Sequence, residues 1–401
     1  MPTTRHITIP AGFLAAGVRC GIKASGREDL AIIAACRDAS AAIVTTRNQL
    51  VGAPVVWCRK VLPCGYGKVR AIVINSGCAN ACNGPAGLRD AEAMAVLTAR
   101  RLGTTPRKVL VASTGVIGQR LPMDKIRAGI RDAAASLGTR NDAAALAAIM
   151  TTDTRPKYAV AATRINGRPV RVAGIIKGAG MIAPSMATMI GVITTDAAIS
   201  PAALHRALVT AVDSTLNAVT IDSDTSTSDT VVLLASGLAG NRQITRGGSA
   251  YAKFVGALTG VCGRLARAVA ADGEGATKLI EIAVRGARNA ADAEAAAKSV
   301  ANSPLVKCAV HGGDPNWGRI AAALGKSTAR VAPQKLAIRI GGVKVFARGR
   351  GLRFDLKKVE KHLAGKTVRV ACDLGLGSGQ YTALTCDFSR KYVEINADYH
   401  T

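Results

Sequence analysis

The sequence predicts an α+β fold in which helices are layered on sheets. The chain has 401 residues, enough for two or three domains or for one large layered domain. It is 49% hydrophobic but only 3% aromatic, so aliphatic side chains must fill its core. The Val- and Ile-rich runs and the Ala-rich stretches each come in pairs along the chain and do not strictly alternate. This order favours α+β layering over a doubly wound parallel sheet.

The strand candidates are short runs rich in Val and Ile and bounded by Gly, Asn or Asp. In chain order they are AAIVTT, VRAIVIN, KVLVAST, VRVAGII, TMIGVITT, TVVLLAS, KLIEIAV, LAIRI, TVRVAC and YVEINA. Their apolar content indicates strands that are buried on at least one face. We therefore expect sheet along most of the chain.

The helix candidates are Ala-rich, and several carry terminal signals. Residues 87–101 have acidic side chains near the start and two arginines at the end. Ser200 precedes Pro201, so we expect Ser200 to cap a helix whose first residue is proline. The other candidates are residues 122–137 and the stretches AYAKFVGALTGVCGRLARAVAAD, NAADAEAAAKSVANS and DLKKVEKHL.

The chain is strongly basic, with 53 Lys and Arg against 26 Asp and Glu and a formal net charge of +27. Such an excess attracts polyanions, so a nucleic-acid-binding protein is one alternative. The basic residues are nevertheless scattered, without a dense basic tail or interleaved aromatic residues. This scatter favours a solvated basic surface, and we expect no nucleic-acid partner.

The ten cysteines predict free thiols rather than disulfides or a metal site. The closest pair, Cys78 and Cys82, lacks the C-x-x-C spacing of a zinc site and has no neighbouring His. The N-terminus has no uninterrupted apolar core of signal-peptide length, and no unbroken apolar run spans a membrane. We therefore expect a soluble, cytoplasmic protein without a metal or a membrane partner.

Nucleotide-binding and hydrolase motifs are not met. Residues 325–327 read GKS, but Gly318 lies two residues too far upstream for a P-loop, and GLGSGQ at 375–380 misses the dinucleotide fingerprint. We interpret both as turns and expect no cofactor. His311 is isolated at a loop edge, which is typical of a structural residue, and neither G-x-S-x-G nor H-E-x-x-H occurs.

The segment KGAGMIAPSMATMIGVITTDA, residues 177–197, places Thr188 at the mouth of an apolar strand. If the Ala187–Thr188 bond were cut, Thr188 would carry a free α-amine, which titrates near ~8. That amine could accept the proton of its own hydroxyl, so one residue would be both nucleophile and base. The same hydroxyl could make the cut by attacking the carbonyl of Ala187. Composition alone favours a threonine that merely begins a strand.

This segment closely resembles the cleavage and nucleophile segment of the ornithine acetyltransferase family, whose pattern reads K-G-S-G-M-I-x-P-N-M-A-T-M. Other landmarks of that family follow in family order over essentially the whole chain and are together highly specific. They are GFLAAGVRCGIK, NSGCANACNG, STGVIG, TTDT, DGEGATK, NSPLVKCAVHGGDPNWGRI and YVEINADYHT. The chain thus resembles the bifunctional glutamate N-acetyltransferases of arginine biosynthesis.

The resemblance implies an N-terminal-nucleophile-like α/β architecture and self-cleavage between Ala187 and Thr188. The products would be an α chain, residues 1–187, and a β chain, residues 188–401, assembled as two α and two β chains. A change of composition beyond GGDPNWGRIAAALGKSTAR predicts a smaller C-terminal α/β subdomain, roughly residues 326–401.

The implied reaction moves an acetyl group from N2-acetylornithine to glutamate. Bifunctional members of the family also use acetyl-CoA as the donor, and no motif in the sequence decides this for the present chain.

The resemblance also implies roles for individual residues. Thr188 would be the nucleophile and acetyl carrier, and Thr114 and Gly115 match the pair that stabilises the oxyanion. Lys177 would bind the substrate carboxylate and Glu274 its amino group. The residues that match substrate-binding positions are Thr151, Thr152, Lys177, Thr188, Glu274, Asn396 and Thr401.

Two other functions remain alternatives. An N-terminal-nucleophile aminopeptidase or amidase would share the cut and the nucleophile but would pass the acyl group to water. A basic nucleic-acid-binding protein would bind DNA or RNA in a salt-sensitive manner and would not cleave itself.

Overall fold

The structure is a computed structural model that describes residues 5–183 and 189–398. These residues form two β-sheets with helices packed on both, so the predicted α+β layering is confirmed. Buried aliphatic side chains form three hydrophobic clusters. Two lie on the first sheet, where alternate residues of its central strands point into one or the other, and the third belongs to the second sheet.

The first sheet contains eight of the described strands in the order β4-β3-β2-β8-β7-β6-β5, with β1 paired to β2. Their bounds are β1 Phe13–Val18, β2 Leu30–Thr45, β3 Tyr66–Cys78, β4 Val109–Val116, β5 Lys157–Ile165, β6 Arg168–Lys177, β7 Ile190–Thr195 and β8 Thr230–Ala235. The β3–β4 and β7–β8 pairs are parallel, and the other pairs are antiparallel.

Two groups of helices cover this sheet. The first group packs mainly with β1–β4, whereas the second packs with β2 and β3 through residues 201–213 and with β5 and β6 through residues 249–271. Alternate residues of β8 point into the two cores, with Val232 and Leu234 in one and Val231 and Leu233 in the other. The first group is α1 Ala53–Val61, α2 Gly84–Arg101, α3 Met123–Ala135 and α4 Asp142–Ile149, and the second is α5 Pro201–Asp213 and α6 Ser249–Ala271.

The second sheet has the order β12-β11-β10-β13-β9-β14, with β13 and β9 parallel. Its strands are β9 Leu279–Ala287, β10 Ala337–Ile340, β11 Val343–Ala347, β12 Arg350–Gly351, β13 Thr367–Asp373 and β14 Gly379–Cys386. The helices that follow β9 along the chain are α7 Ala290–Ala301, α8 Pro304–His311, α9 Trp317–Gly325, α10 Leu356–Leu363 and α11 Arg390–Asp398. Helix α6 contacts strands of both sheets and so joins the two units.

Most predicted elements are present, but one is wrong. The stretch YVEINA forms helix α11, because Ser389 Oγ accepts a hydrogen bond from Lys391 N (3.2 Å) and caps a helix there. Its alternation of apolar and polar residues resembles a strand only by chance. The elements that were not predicted from the sequence are β1, β5, β11, β12, β14, α1, α4, α8 and α9.

Only one of the two predicted domain boundaries lies within the described residues. The expected start of the C-terminal subdomain near residue 326 lies between α9 and β10, whereas the second sheet already includes β9. The division between residues 187 and 188 lies outside the described residues.

Among the described residues, helix α6 is long enough and apolar enough to cross a membrane, judged by length and composition alone. Its apolar face includes Phe254, Leu258 and Leu265, all buried in the core shared with β5–β8. A buried core helix has the same length and composition, and α6 occupies that position here.

Candidate active site

The predicted functional residues that the structure describes meet in one polar cavity of about 250 Å3. Those that line it are Thr114, Gly115, Thr151, Thr152, Lys177, Glu274 and Asn396. Ala187, Thr188 and Thr401 lie outside the described residues. Residues from widely separated parts of the sequence therefore share one site.

Curvature of the first sheet brings these residues together. Lys177 Nζ lies 3.4 Å from Thr114 Oγ1, although β4 and β6 are five strand steps apart. A flat sheet would separate these strands by roughly 24 Å. The pairing of β2 with β3 is interrupted between Ala34 and Ala39, where exposed residues leave the ladder. Such an interruption bends a strand and increases its twist, which allows the sheet to fold over.

The Thr114–Gly115 pair lies at the end of β4, beside the end of β3. Gly115 has φ +126°, and a Cβ there would lie 2.3 Å from the carbonyl carbon of Gly77. Only glycine fits this backbone, because any side chain would strike the neighbouring strand. The close approach leaves the Gly115 backbone at the cavity wall, as an oxyanion-binding position requires.

Lys177 is the last residue of β6 and is buried, with 9% of its surface exposed. Burial lowers the pKa of its ammonium, an effect that the charge of Asp153 opposes and that of Lys157 reinforces. Among the described residues, no carboxylate oxygen lies within 4 Å of Lys177 Nζ. Its positive charge can therefore be matched by an anionic ligand.

Glu274 follows the end of α6 and is held from two sides. Its backbone N–H donates to Ala179 O (2.8 Å), and its carboxylate accepts from Asn396 Nδ2 (2.9 Å). Asn396 reaches it from α11 and also donates to Tyr392 O within that helix (3.0 Å). Gly180 lies against the carboxylate, since a Cβ there would be 2.3 Å from Glu274 Oε2.

One segment, residues 221–230, holds the chain on both sides of residues 184–188. Asp222 accepts hydrogen bonds from Met181 N (2.6 Å) and Ile182 N (2.8 Å). Thr225 Oγ1 donates a hydrogen bond to the carbonyl oxygen of residue 183 (3.0 Å). The N–H of residue 230 donates one to the carbonyl oxygen of residue 189 (2.9 Å). Met181 has φ +53°, which a non-glycine residue rarely adopts. The hydrogen bonds from this segment therefore hold a strained backbone.

Asp222 was not predicted from the sequence, and burial raises the pKa of its carboxyl group. The available signal was the dense polar run DSDTSTSD immediately before the apolar strand β8. Asp222, Asp224 and Asp229 of this run line the cavity.

Other candidate groups are not part of this site. His311 binds Asp387 Oδ2 through Nδ1 (2.7 Å) and does not line the cavity, which fits a structural residue. Of the GKS residues, Gly325 ends α9 and the next two form the turn after it, whereas GLGSGQ forms the link between β13 and β14 and the first two residues of β14. The predicted turns are thus present over part of each segment. All ten cysteines lie within the described residues and are free thiols, and no group of metal-ligating side chains occurs there.

The arrangement has a clear chemical capacity. A buried ammonium and a carboxylate in one small cavity can bind the carboxylate and amino groups of an amino acid. The Thr114–Gly115 turn can stabilise negative charge that develops on an oxygen.

The fold and the cavity define a layered α/β protein with a polar site suited to an amino acid. The model of the ArgJ family matches residues 14–401. The chain belongs to the ArgJ family and is an enzyme of arginine biosynthesis, as its relatives are named.

Known members of the family are similar over nearly the whole chain, and a solved structure of one member is similar over half of it. The arginine biosynthesis bifunctional protein ArgJ of Symbiobacterium thermophilum is 47% identical over 98% of both chains. That of Synechocystis is 46% identical over 99% of this chain and 98% of its own. A crystal structure of the Bacillus halodurans protein of the same name is 40% identical, with a TM-score of 0.50, over 51% of this chain and 97% of the solved chain.

Gly180→Ala tests the geometry of Glu274. The new Cβ would displace the carboxylate and break its bond to Asn396, so we expect kcat/KM of the acetyl transfer that the family implies to fall by about 10- to 100-fold. Steady-state kinetics on the purified variant measures this loss. Gly256→Ala is the matched control, because no heavy atom lies within 4 Å of a Cβ on that exposed residue of α6. Full activity of Gly180→Ala would contradict the described contact.

Proposed function

We propose that the chain transfers an acetyl group from N2-acetylornithine to glutamate after cutting itself between Ala187 and Thr188. One observation carries this proposal: Met189, the residue joined to Thr188, lines a cavity that also contains the Glu274 carboxylate, the Thr114–Gly115 turn and the Lys177 ammonium. No carboxylate oxygen of a described residue lies within 4 Å of that ammonium. The resemblance of residues 177–189 to the family's nucleophile segment supports the same assignment.

The proposed reaction is a double displacement. Thr188 Oγ attacks the acetyl carbonyl of N2-acetylornithine, and the α-amine of Thr188 takes the hydroxyl proton. Thr114 and Gly115 stabilise the oxyanion until the C–N bond breaks and ornithine leaves with that proton. An acetyl ester of Thr188 remains. The amino group of glutamate then attacks this ester, gives N-acetylglutamate and restores the hydroxyl.

One pocket can serve both halves because both substrates are α-amino acids. Lys177 binds the α-carboxylate and Glu274 the amino group, with Thr151 or Thr152 as a hydroxyl contact. Asn396 orients Glu274 from α11, and Thr401 completes the substrate-binding set.

A cut at this position is compatible with an intact fold. Strand β6 lies before it and β7 after it, yet the two pair along six antiparallel residue pairs. Strands β2 and β8 pair in the same way across the two halves. The solved relative from Bacillus halodurans supports a two-chain form, because its whole chain corresponds to about half of this one.

The remaining assignments are proposals of the same kind. The assembly contains two α and two β chains in the cytoplasm and requires no cofactor. Acetyl-CoA is a second acetyl donor if this chain is bifunctional, as its relatives are named.

The transfer is tested by supplying each donor with and without glutamate. We expect N2-acetylornithine and glutamate together to give ornithine and N-acetylglutamate in equal amounts, measured by chromatography. With acetyl-CoA as donor, the same assay determines whether the chain is bifunctional. Ornithine release that does not depend on glutamate would instead support an amidase, and salt-sensitive DNA or RNA binding without transfer would support the nucleic-acid alternative.

The cut is tested on a denaturing gel of the purified protein. We expect two bands, each near half of the 41.1 kDa chain, with Thr188 as the new N-terminus by sequencing. Thr188→Ala removes the attacking hydroxyl and should leave one full-length band. A single uncut band from active wild-type protein would contradict the proposal.

The pH dependence of KM at alkaline pH should reflect the loss of the proton from Lys177. A lysine binds a carboxylate only below its pKa, and burial lowers this pKa, so KM for N2-acetylornithine should rise at a pH below ~10.4, the ordinary lysine value. Lys177→Arg keeps its charge to higher pH and should shift or remove this rise. An identical alkaline rise in both enzymes would contradict the role of Lys177.

A further inference from the structure

A second buried lysine lies behind the cavity and takes no part in the proposed chemistry. Lys157 Nζ is 2.6 Å from Asp153 Oδ1 and 2.5 Å from Asp272 Oδ2. The side chains of all three residues are at most 5% exposed. We refer to Asp153, Lys157 and Asp272 as the buried ion cluster.

The cluster connects three segments that carry the predicted substrate-binding residues. Asp153 accepts hydrogen bonds from Thr151 N (3.0 Å) and from Gly178 N (2.7 Å), the residue after Lys177. Asp272 lies two residues before Glu274 and accepts bonds from the Thr154 backbone and hydroxyl. Lys157 itself pairs with Ile176, next to Lys177, across β5 and β6.

A cluster of this kind is costly unless every charge is matched. Burying an ion removes its hydration, and leaving one carboxylate without its partner is strongly destabilising. Burial alone would raise the pKa of Asp153, but the charges of Lys177 and Lys157 and the bonds from Lys157 and Gly178 hold it at about 2. Asp153 is therefore ionised, and it attracts both lysines.

The two lysines divide the available carboxylates unequally. Lys157 takes both Asp153 and Asp272, whereas Lys177 has no carboxylate oxygen of a described residue within 4 Å. If Lys157 were neutral, Asp153 would lose its close partner. Lys177 is a buried cation whose charge already acts on Asp153. It could then take the place of Lys157, and its charge would no longer be available at the cavity.

We propose that Lys157 is a positioning residue that occupies Asp153 and Asp272 and thereby reserves Lys177 for the carboxylate of the substrate. This inference rests on the proposed function and goes beyond it, because it names what controls the affinity of the carboxylate site. The expected effect is on binding. The contact between Lys177 Nζ and Thr114 Oγ1 would be lost, but the backbone of Thr114 and Gly115 would keep its place at the end of β4.

Lys157→Met tests the proposal by steady-state kinetics with N2-acetylornithine and glutamate. We expect KM for both substrates to rise at least tenfold while kcat stays within about threefold, because both are held through the same carboxylate contact. The double variant Lys157→Met/Asp153→Asn removes the carboxylate that would capture Lys177. We expect it to return both KM values to within about threefold of wild type.

Asp196→Asn is the control for a general loss of stability. Asp196 is 1% exposed and accepts a hydrogen bond from Arg171 N (2.8 Å), six residues from Lys177 and so roughly 20 Å along β6. We expect this variant to lower Tm without changing either KM. A gel run beside each assay shows whether the variants are cut like the wild type.

Each outcome decides a different question. Unchanged KM values in Lys157→Met, a loss confined to kcat, or a double variant no better than the single one would overturn the positioning role. If Lys157→Met is recovered only unfolded, the double variant decides alone: KM near wild type supports the role, and a tenfold rise overturns it. Wild-type protein that transfers no acetyl group would instead remove the proposed function itself.

Discussion

The bend in β2 is the constraint on which the rest of the structure depends. Without it, the end of β4 and the end of β6 would lie on distant strands of a flat sheet, and Thr114 could not approach Lys177. Strand β2 pairs with β3 before and after this bend, and its second half, residues 40–45, also pairs with β8. Residues before and after the proposed cut are thus joined by backbone hydrogen bonds, which do not require a continuous chain. The sheet can hold a new chain terminus beside the cavity.

The second constraint is electrostatic. Buried charges must be matched, yet a binding site must keep one charge unmatched until its ligand arrives. The protein meets both requirements by placing two lysines near one ionised aspartate and giving the close contacts to the deeper one. Hydrogen bonds from Thr151 and Gly178 fix that aspartate on the backbone of the segments that it must align. Lys157 therefore stabilises the buried carboxylates, and Lys177 remains available to bind a ligand.

The sequence predicts part of this arrangement for identifiable reasons. Apolar runs such as TVVLLAS are strands because their residues are buried on both faces, which composition reveals. YVEINA instead alternates apolar and polar residues and is mostly exposed, and its helix depends on a local cap at Ser389 that periodicity does not detect. Motif resemblance located Lys177 and Glu274, but it could not locate Lys157 or Asp222. Their importance arises from burial and from contacts across strands, and neither is visible in the order of residues.

The large positive net charge of the chain does not extend to the lining of the cavity. Among the described residues that line it, the charged side chains are Lys177 and four carboxylates, on Asp222, Asp224, Asp229 and Glu274. The excess of basic residues must lie elsewhere on the protein, and the local field of the site opposes anions. In the proposed reaction, glutamate carries two carboxylates and ornithine one, so the acceptor is the substrate that this field disfavours. Its binding then depends on the one ammonium in the lining, which is the physical reason that Lys177 has to be kept free of an internal partner.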